Sequence, residues 1–193
     1  FILSGQVIFN FFSESTTNAM GAILGNASLI RKIYVPKYLF VISRIFSSFI
    51  NLMASFTALL LVMVVTRAEL HWTVILVPIP LVLLVAFSMG IGLILSAIAV
   101  KFRDIMHLYS VFITALMYLT PVIYPMSILP NWLTPIVELN PITNIMLMFR
   151  DVMLYNTIFG WKSIIIAIVE AGLALVIGLR VFYKAQDEFI LNI

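Results

Sequence analysis

Long apolar runs separated by short polar connections dominate the chain, and their lengths match membrane spans rather than soluble helices. A spanning helix takes about 20 mostly apolar residues. Five stretches qualify, at about 1–24, 43–65, 74–100, 105–124 and 162–183. The first is the least apolar, because Gln6, Asn10, Glu14, Thr17, Asn18 and Gly21 interrupt it. From Asn10 onward these residues recur at helical spacing and make one stripe, which must face other helices or water rather than lipid. Residues 125–161 have a different pattern, too apolar for a free loop and too often broken by Pro125, Pro130, Pro135 and Pro141 to span. Asn140 followed by Pro141 predicts a helix N-cap and first turn, with the helix running to about Tyr155. This region is expected to form two short re-entrant helices in the outer leaflet, packed on protein where irregular backbone is tolerated. The pattern as a whole predicts an all-α polytopic membrane protein, a helical bundle in a single transmembrane domain.

Small residues add packing detail. Ser88, Gly92 and Ser96 lie four apart in one span, and Ala171, Ala174 and Gly178 mark another. Such faces let helix backbones approach closely, within one subunit or across a dimer seam.

Composition agrees with the pattern. The 193 residues are 63% hydrophobic and only 10% charged, against about 25% charged in soluble domains. The formal charge of +3 then reads as loops held against an anionic leaflet, with no nucleic-acid partner implied. The absence of cysteine excludes disulfides, thiolate metal sites and a cysteine nucleophile. Placing 26–44 on the cytoplasmic side gathers Arg31, Lys32, Lys37, Arg44, Lys101, Arg103, Arg180 and Lys184 there, leaving Arg67, Arg150 and Lys162 opposite. That bias puts the C-terminus inside. The chain opens on Phe1 without an initiator Met or a basic flank, so its amino-terminal part is expected upstream, with the first residues already in a span.

Candidate chemistry is sparse. There is no Gly-rich phosphate loop and no hydrolase or zinc-protease motif; Gly90 and Gly92 lie mid-span without a following Lys. If ATP drives this protein, another chain binds it. Glu14 and Glu170 are carboxylates inside spans, and each reads either as an ion or proton site or as a packing residue satisfied locally, Glu14 by Ser13 and Thr17. His71 and His107 are isolated, with no metal-site spacing. Arg150 and Asp151 pair locally or meet a charged cargo headgroup. Tyr118 and Tyr124 belong to an interfacial aromatic belt or stack on sugar rings. The basic segment Asn26 to Lys37 carries an apolar face of Leu29, Ile30, Ile33 and Tyr34 ringed by Arg31, Lys32 and Lys37, and Pro36 ends it. That arrangement suits insertion into a groove on a partner, whereas an ordinary positive-inside loop explains the charges alone.

These residues carry a family resemblance. The run from Asn26 through Leu29, Ile30, Arg31 and Lys32 to Pro36 resembles the cytoplasmic coupling helix of type-2 ATP-binding-cassette exporter permeases. Lys101 to Ile105 resembles the inner turn after that family's fourth span, and Thr120 to Pro125 the end of its fifth. Leu139 to Thr143, with Arg150 beyond, resembles its outer re-entrant helices, and Phe182 to Lys184 with Phe189 its cytoplasmic tail. The similarity is greatest to the branch exporting lipid-linked polysaccharides such as O-antigen or teichoic acid.

The resemblance implies five of six spans, in a bacterial cytoplasmic (inner or plasma) membrane. It implies a working unit of two copies of this chain and two separate ATPase subunits that hold ATP and Mg. By that resemblance the chain is a transport subunit without a catalytic site, cofactor or metal of its own, and its cargo is a lipid-linked glycan. Asn26, Leu29, Ile30, Arg31, Lys32, Tyr34 and Pro36 would then meet the ATPase, and Asn10, Glu14, Thr17, Tyr118, Tyr124 and Arg150 would line the pathway. The alternatives are a drug or small-lipid exporter of the same family, an ion-coupled secondary transporter using Glu14 or Glu170, and an intramembrane glycan polymerase.

Overall fold

A computed structural model describes residues 1–30, 32, 35–67, 71–186 and 189, and no strand occurs among them. Helices α1 (Ile2–Met20), α2 (Ala22–Gly25) and α3 (Ala27–Ile30) lead to a long α4 (Tyr38–Val65). A 3-10 turn at Trp72–Leu76 runs into α5 (Pro78–Lys101), which is followed by α6 (Ile105–Leu119). A second 3-10 turn at Met126–Ile128 precedes α7 (Thr134–Glu138), α8 (Pro141–Leu154) and α9 (Trp161–Ala185).

Tyr38–Val65, Trp72–Lys101 and Trp161–Ala185 are long and apolar enough to cross a membrane. The two other expected spans come out differently. The first divides at Gly21 into α1 and α2. The 19 residues of α1 reach roughly 28 Å, close to a hydrocarbon thickness of about 30 Å. The expected run 105–124 stops at Leu119, because Thr120 turns extended (φ −88°, ψ 136°) just before Pro121. A proline disfavours helical backbone in the residue before it, so α6 is only 15 residues long.

Helix α5 is the centre of the bundle. It packs most extensively on α9 and also touches α1, α4, α6 and α8. The α5–α9 contact is a backbone approach: a β-carbon at Gly90 would overlap the backbone of Ala174, and one at Gly178 would overlap the carbonyl of Gly90. Ala167, Ala171, Ala174 and Gly178 are all buried along that seam, which therefore packs within one chain. Gly92 serves a different neighbour; a β-carbon there would lie 2.8 Å from Ala19 Cβ of α1 and 3.2 Å from Ile45 of α4. Two glycines one residue apart thus admit helices on two sides.

The ends of the bundle are tied off separately. At one end Lys37 Nζ donates to the Gln186 carbonyl and lies 5.6 Å from the Phe189 ring, which meets Phe182 edge-on at 5.3 Å. The segment before α4 and the tail after α9 therefore share an end, as the charge distribution requires. At the other end Thr73 Oγ1 donates to Val152 O at 2.7 Å, binding the α4–α5 connection to α8. The predicted cap of α8 is present, with Asn140 Oδ1 accepting from Ile142 N–H at 3.1 Å.

The seam makes a direct prediction. Gly90→Ala is expected to cost about 1–3 kcal/mol through overpacking against backbone. Gly172→Ala, whose β-carbon meets nothing within 4 Å, is expected to be neutral or to stabilise by up to about 1 kcal/mol. Thermal unfolding of both variants in one detergent measures the contrast; equal midpoints would contradict the close approach.

Candidate functional site

The polar stripe of α1 lies along its junction with α4. The Glu14 carboxylate accepts from Asn51 Nδ2 at 2.7 Å and from Ser48 Oγ at 3.3 Å. Asn18 Nδ2 donates to the same Ser48 hydroxyl at 3.1 Å. Glu14 is thus held across two helices, rather than by Ser13 and Thr17 of its own helix. Ser48, Asn51 and Ser55 recur at helical spacing along α4, which brings all three toward α1. That spacing was the available sequence signal for residues that the reading of α1 alone passed over. Asn10, Thr17 and Asn18 remain exposed, and Gln6, Asn10 and Ser55 border a shallow groove between the two helices. The stripe is therefore open on the surface of this chain. An uncovered polar face on a bundle this apolar calls for water or another polypeptide beside it.

Glu170 has other company. Asn144 of α8 lies beside its carboxylate and donates to Ser163 O at 3.1 Å, while Glu170 Oε2 is buried without a side-chain or backbone partner. The two intramembrane acids therefore answer to different helices.

Arg150 is where the structure departs most from the sequence reading. It is 1% exposed and its acceptors are two carbonyls and the Ser4 hydroxyl, so neither an ion pair with Asp151 nor contact with a cargo headgroup describes it. Nη1 donates to Pro121 O at 2.7 Å and Nη2 to Val122 O at 2.9 Å. Nε lies 3.5 Å from Ser4 Oγ, and the guanidinium carbon sits 3.8 Å from the centre of the Phe1 ring. Burial lowers its pKa from 12.5 to about 10, which leaves it cationic at neutral pH. Burial also pushes the neighbouring Asp151 carboxyl up. Tyr118 is 70% exposed, and Tyr124 O–H donates back to Tyr118 O at 2.8 Å, closing the turn after α6. Asn140 Nδ2 donates to Thr120 Oγ1 at 2.9 Å, fastening α8 to the same turn.

An apolar pocket of about 340 Å³ lies between α1, α5 and α6 and the short outer helices. Phe12, Phe87, Tyr109, Leu116, Ile136 and Pro141 line it, with Phe12 and Phe87 stacked at 5.7 Å. Tyr109 O–H donates to Thr16 Oγ1 at 2.7 Å, holding α6 to α1 on its margin.

The basic segment is partly described. Asn26 Nδ2 donates to Ala22 O at 2.7 Å, so its side chain stabilises the local turn. Leu29 is 46% exposed, Lys32 and Pro36 are exposed, and Ile30 is half-buried against the core. Arg31, Ile33 and Tyr34 lie outside the described residues. Leu29 and Lys32 are therefore presented outward at the end of the bundle shared with the chain's tail.

The α1–α4 polar contact is measurable by a double-mutant cycle. Glu14→Ala and Asn51→Ala are expected to couple by about 0.6–1.7 kcal/mol, the range for hydrogen bonds between helices in membranes. Unfolding of the single and double variants gives the term, and strict additivity would show that the two side chains do not interact.

Comparison with known proteins places this geometry. Two O-antigen export system permease proteins RfbA from Klebsiella pneumoniae are each 25% identical, over 98% of this chain and 73% of their own length. The protein of the same name from Myxococcus xanthus is 23% identical over 98% of this chain and 74% of its length. The sequence profile for ABC-2 type transporters matches residues 1–154, from the polar helix α1 through α8. On that match over most of its length, the chain belongs to the ABC-2 type transporter family.

Proposed function

We propose that this chain is the membrane-spanning subunit of an ATP-driven exporter that carries a lipid-linked polysaccharide, of O-antigen or teichoic acid type, outward across a bacterial cytoplasmic membrane. The observation that carries the reading is the open polar face of α1 on an otherwise apolar bundle, in a chain whose relatives are named for O-antigen export. Asn10, Glu14 and Thr17 offer hydroxyl, amide and carboxylate groups to a glycan, and exposed Tyr118 offers a ring. The apolar pocket beneath the outer helices suits a hydrocarbon chain of the carrier lipid. Two copies of this chain form the route, the tail lies on the cytoplasmic side, and two ATPase subunits bind ATP and Mg.

Energy enters through the segment Asn26 to Lys37. Closure of the ATPase subunits presses on Leu29, Ile30, Arg31, Lys32, Tyr34 and Pro36. That segment includes α3 and leads directly through α2 into α1, so the push reaches the helix that carries the polar face. Ile30→Ala and Arg31→Glu are expected to lower export by about tenfold, within the usual span of coupling energies, while the partner still hydrolyses ATP. Paired export and hydrolysis assays on the reconstituted complex test this, and unchanged export in both variants would remove the segment from the mechanism.

A further inference from the structure

Arg150 joins three parts of the chain that are distant in sequence: the start of α1, the turn after α6, and α8 itself. We propose that Arg150 is a positioning residue that locks the outer hairpin α7–α8 and the broken end of α6 onto α1, so that these segments move as one body. The proposal deepens the exporter reading and rests on it for the displacement of α1.

The carbonyls of Pro121 and Val122 lie in the turn beyond α6, outside any helical ladder, and Arg150 satisfies both. Capping those carbonyls accounts for two contacts only. It does not account for the Phe1 ring against the guanidinium face or for Ser4 Oγ beside Nε. Nor does it account for Gly5, where an added β-carbon would lie 2.5 Å from Nη2 and 2.9 Å from Val122 O. Ser4 and Gly5 belong to α1, and Phe1 is its N-cap residue. The backbone of α1 comes close enough to share the guanidinium, and Gly5 is the residue that lets it.

A planar fork with five donors can serve two carbonyls, a hydroxyl and a ring face together. A lysine ammonium lacks both the fork and the flat face. The second fastening, Asn140 to Thr120, joins the start of α8 to the same turn. The other end of α1 leads through α2 to the basic segment, which includes α3. One helix therefore has the proposed entry point for the ATPase at one end and the hairpin latch at the other.

The test uses the full permease–ATPase complex in nanodiscs. These 193 residues contain no cysteine, so once any cysteines elsewhere in the complex are replaced, Ile2→Cys and Leu139→Cys, both exposed positions, take spin labels selectively. With Arg150 intact, the distance between the labels is expected to be the same in the nucleotide-free and vanadate-trapped states. Arg150→Lys and Gly5→Ala are expected to broaden that distance and to lower export about tenfold, with ATP hydrolysis retained. A label distance that changes on trapping in the otherwise unaltered protein would overturn the latch, as would wild-type export in both variants. The measurement with Arg150 intact decides the matter even where a variant fails to assemble. If Ile30→Ala and Arg31→Glu leave export unchanged while the label distance stays fixed, the entry point falls and the latch stands.

Discussion

Buried backbone carbonyls must find donors wherever a helix stops, and the turn Thr120 to Val122 is where this chain meets that requirement most acutely. Water is not at hand to satisfy Pro121 O and Val122 O, because both residues are buried. Arg150 supplies two donors from one rigid group, and the cost of burying its charge is offset by the carbonyl dipoles and the Phe1 ring face. With that turn satisfied, α6 can end after 15 residues and the outer hairpin can descend beside α1, α5 and α9. The pocket under the short outer helices is lined in part by the last turn of α6, at Leu116 and Leu119.

The rest of the bundle divides rigid packing from exposed polarity. Helix α5 presents Gly90 to α9 and Gly92 to α1 and α4, so three helices close tightly around one. The α5–α9 seam is backbone against backbone at Gly90 and Gly178, and close packing of that kind resists sliding. Helix α1 is gripped on its apolar side by α5, α6 and α8 and keeps Asn10, Thr17 and Asn18 exposed. Glu14 and Asn18 are steadied by Ser48 and Asn51 without being hidden. Helix α1 is thus packed by α4 along its polar stripe and still leaves part of that stripe exposed.

Much of this was legible in the linear pattern. The long apolar runs at 43–65, 74–100 and 162–183 correspond to α4, α5 and α9, and Asn140 with Pro141 marked the start of α8 where the structure has it. The small residues of α9 pointed to a close seam. The end of α6 was misplaced because apolarity continues through Val122 and Ile123, although the backbone has already turned at Thr120. Residue preference before proline outweighed hydropathy there.

What the chain's order of residues settles is the class: all-helical, membrane-embedded, sorted by charge into two ends, and polar along one helix. These follow from local properties, the run lengths, the helical period and the signs of side chains, each readable within a window of about 20 residues. The partners of polar groups do not follow. Arg150 takes up carbonyls 28 and 29 positions away and Ser4 at 146, and Glu14 takes up Asn51 at 37. A carbonyl acceptor has no side-chain signature, so no pattern announces that a lone arginine in an apolar helix will close a turn. Only the approach of α1, α6 and α8 in space converts that residue from an apparent surface charge into a buried fastening.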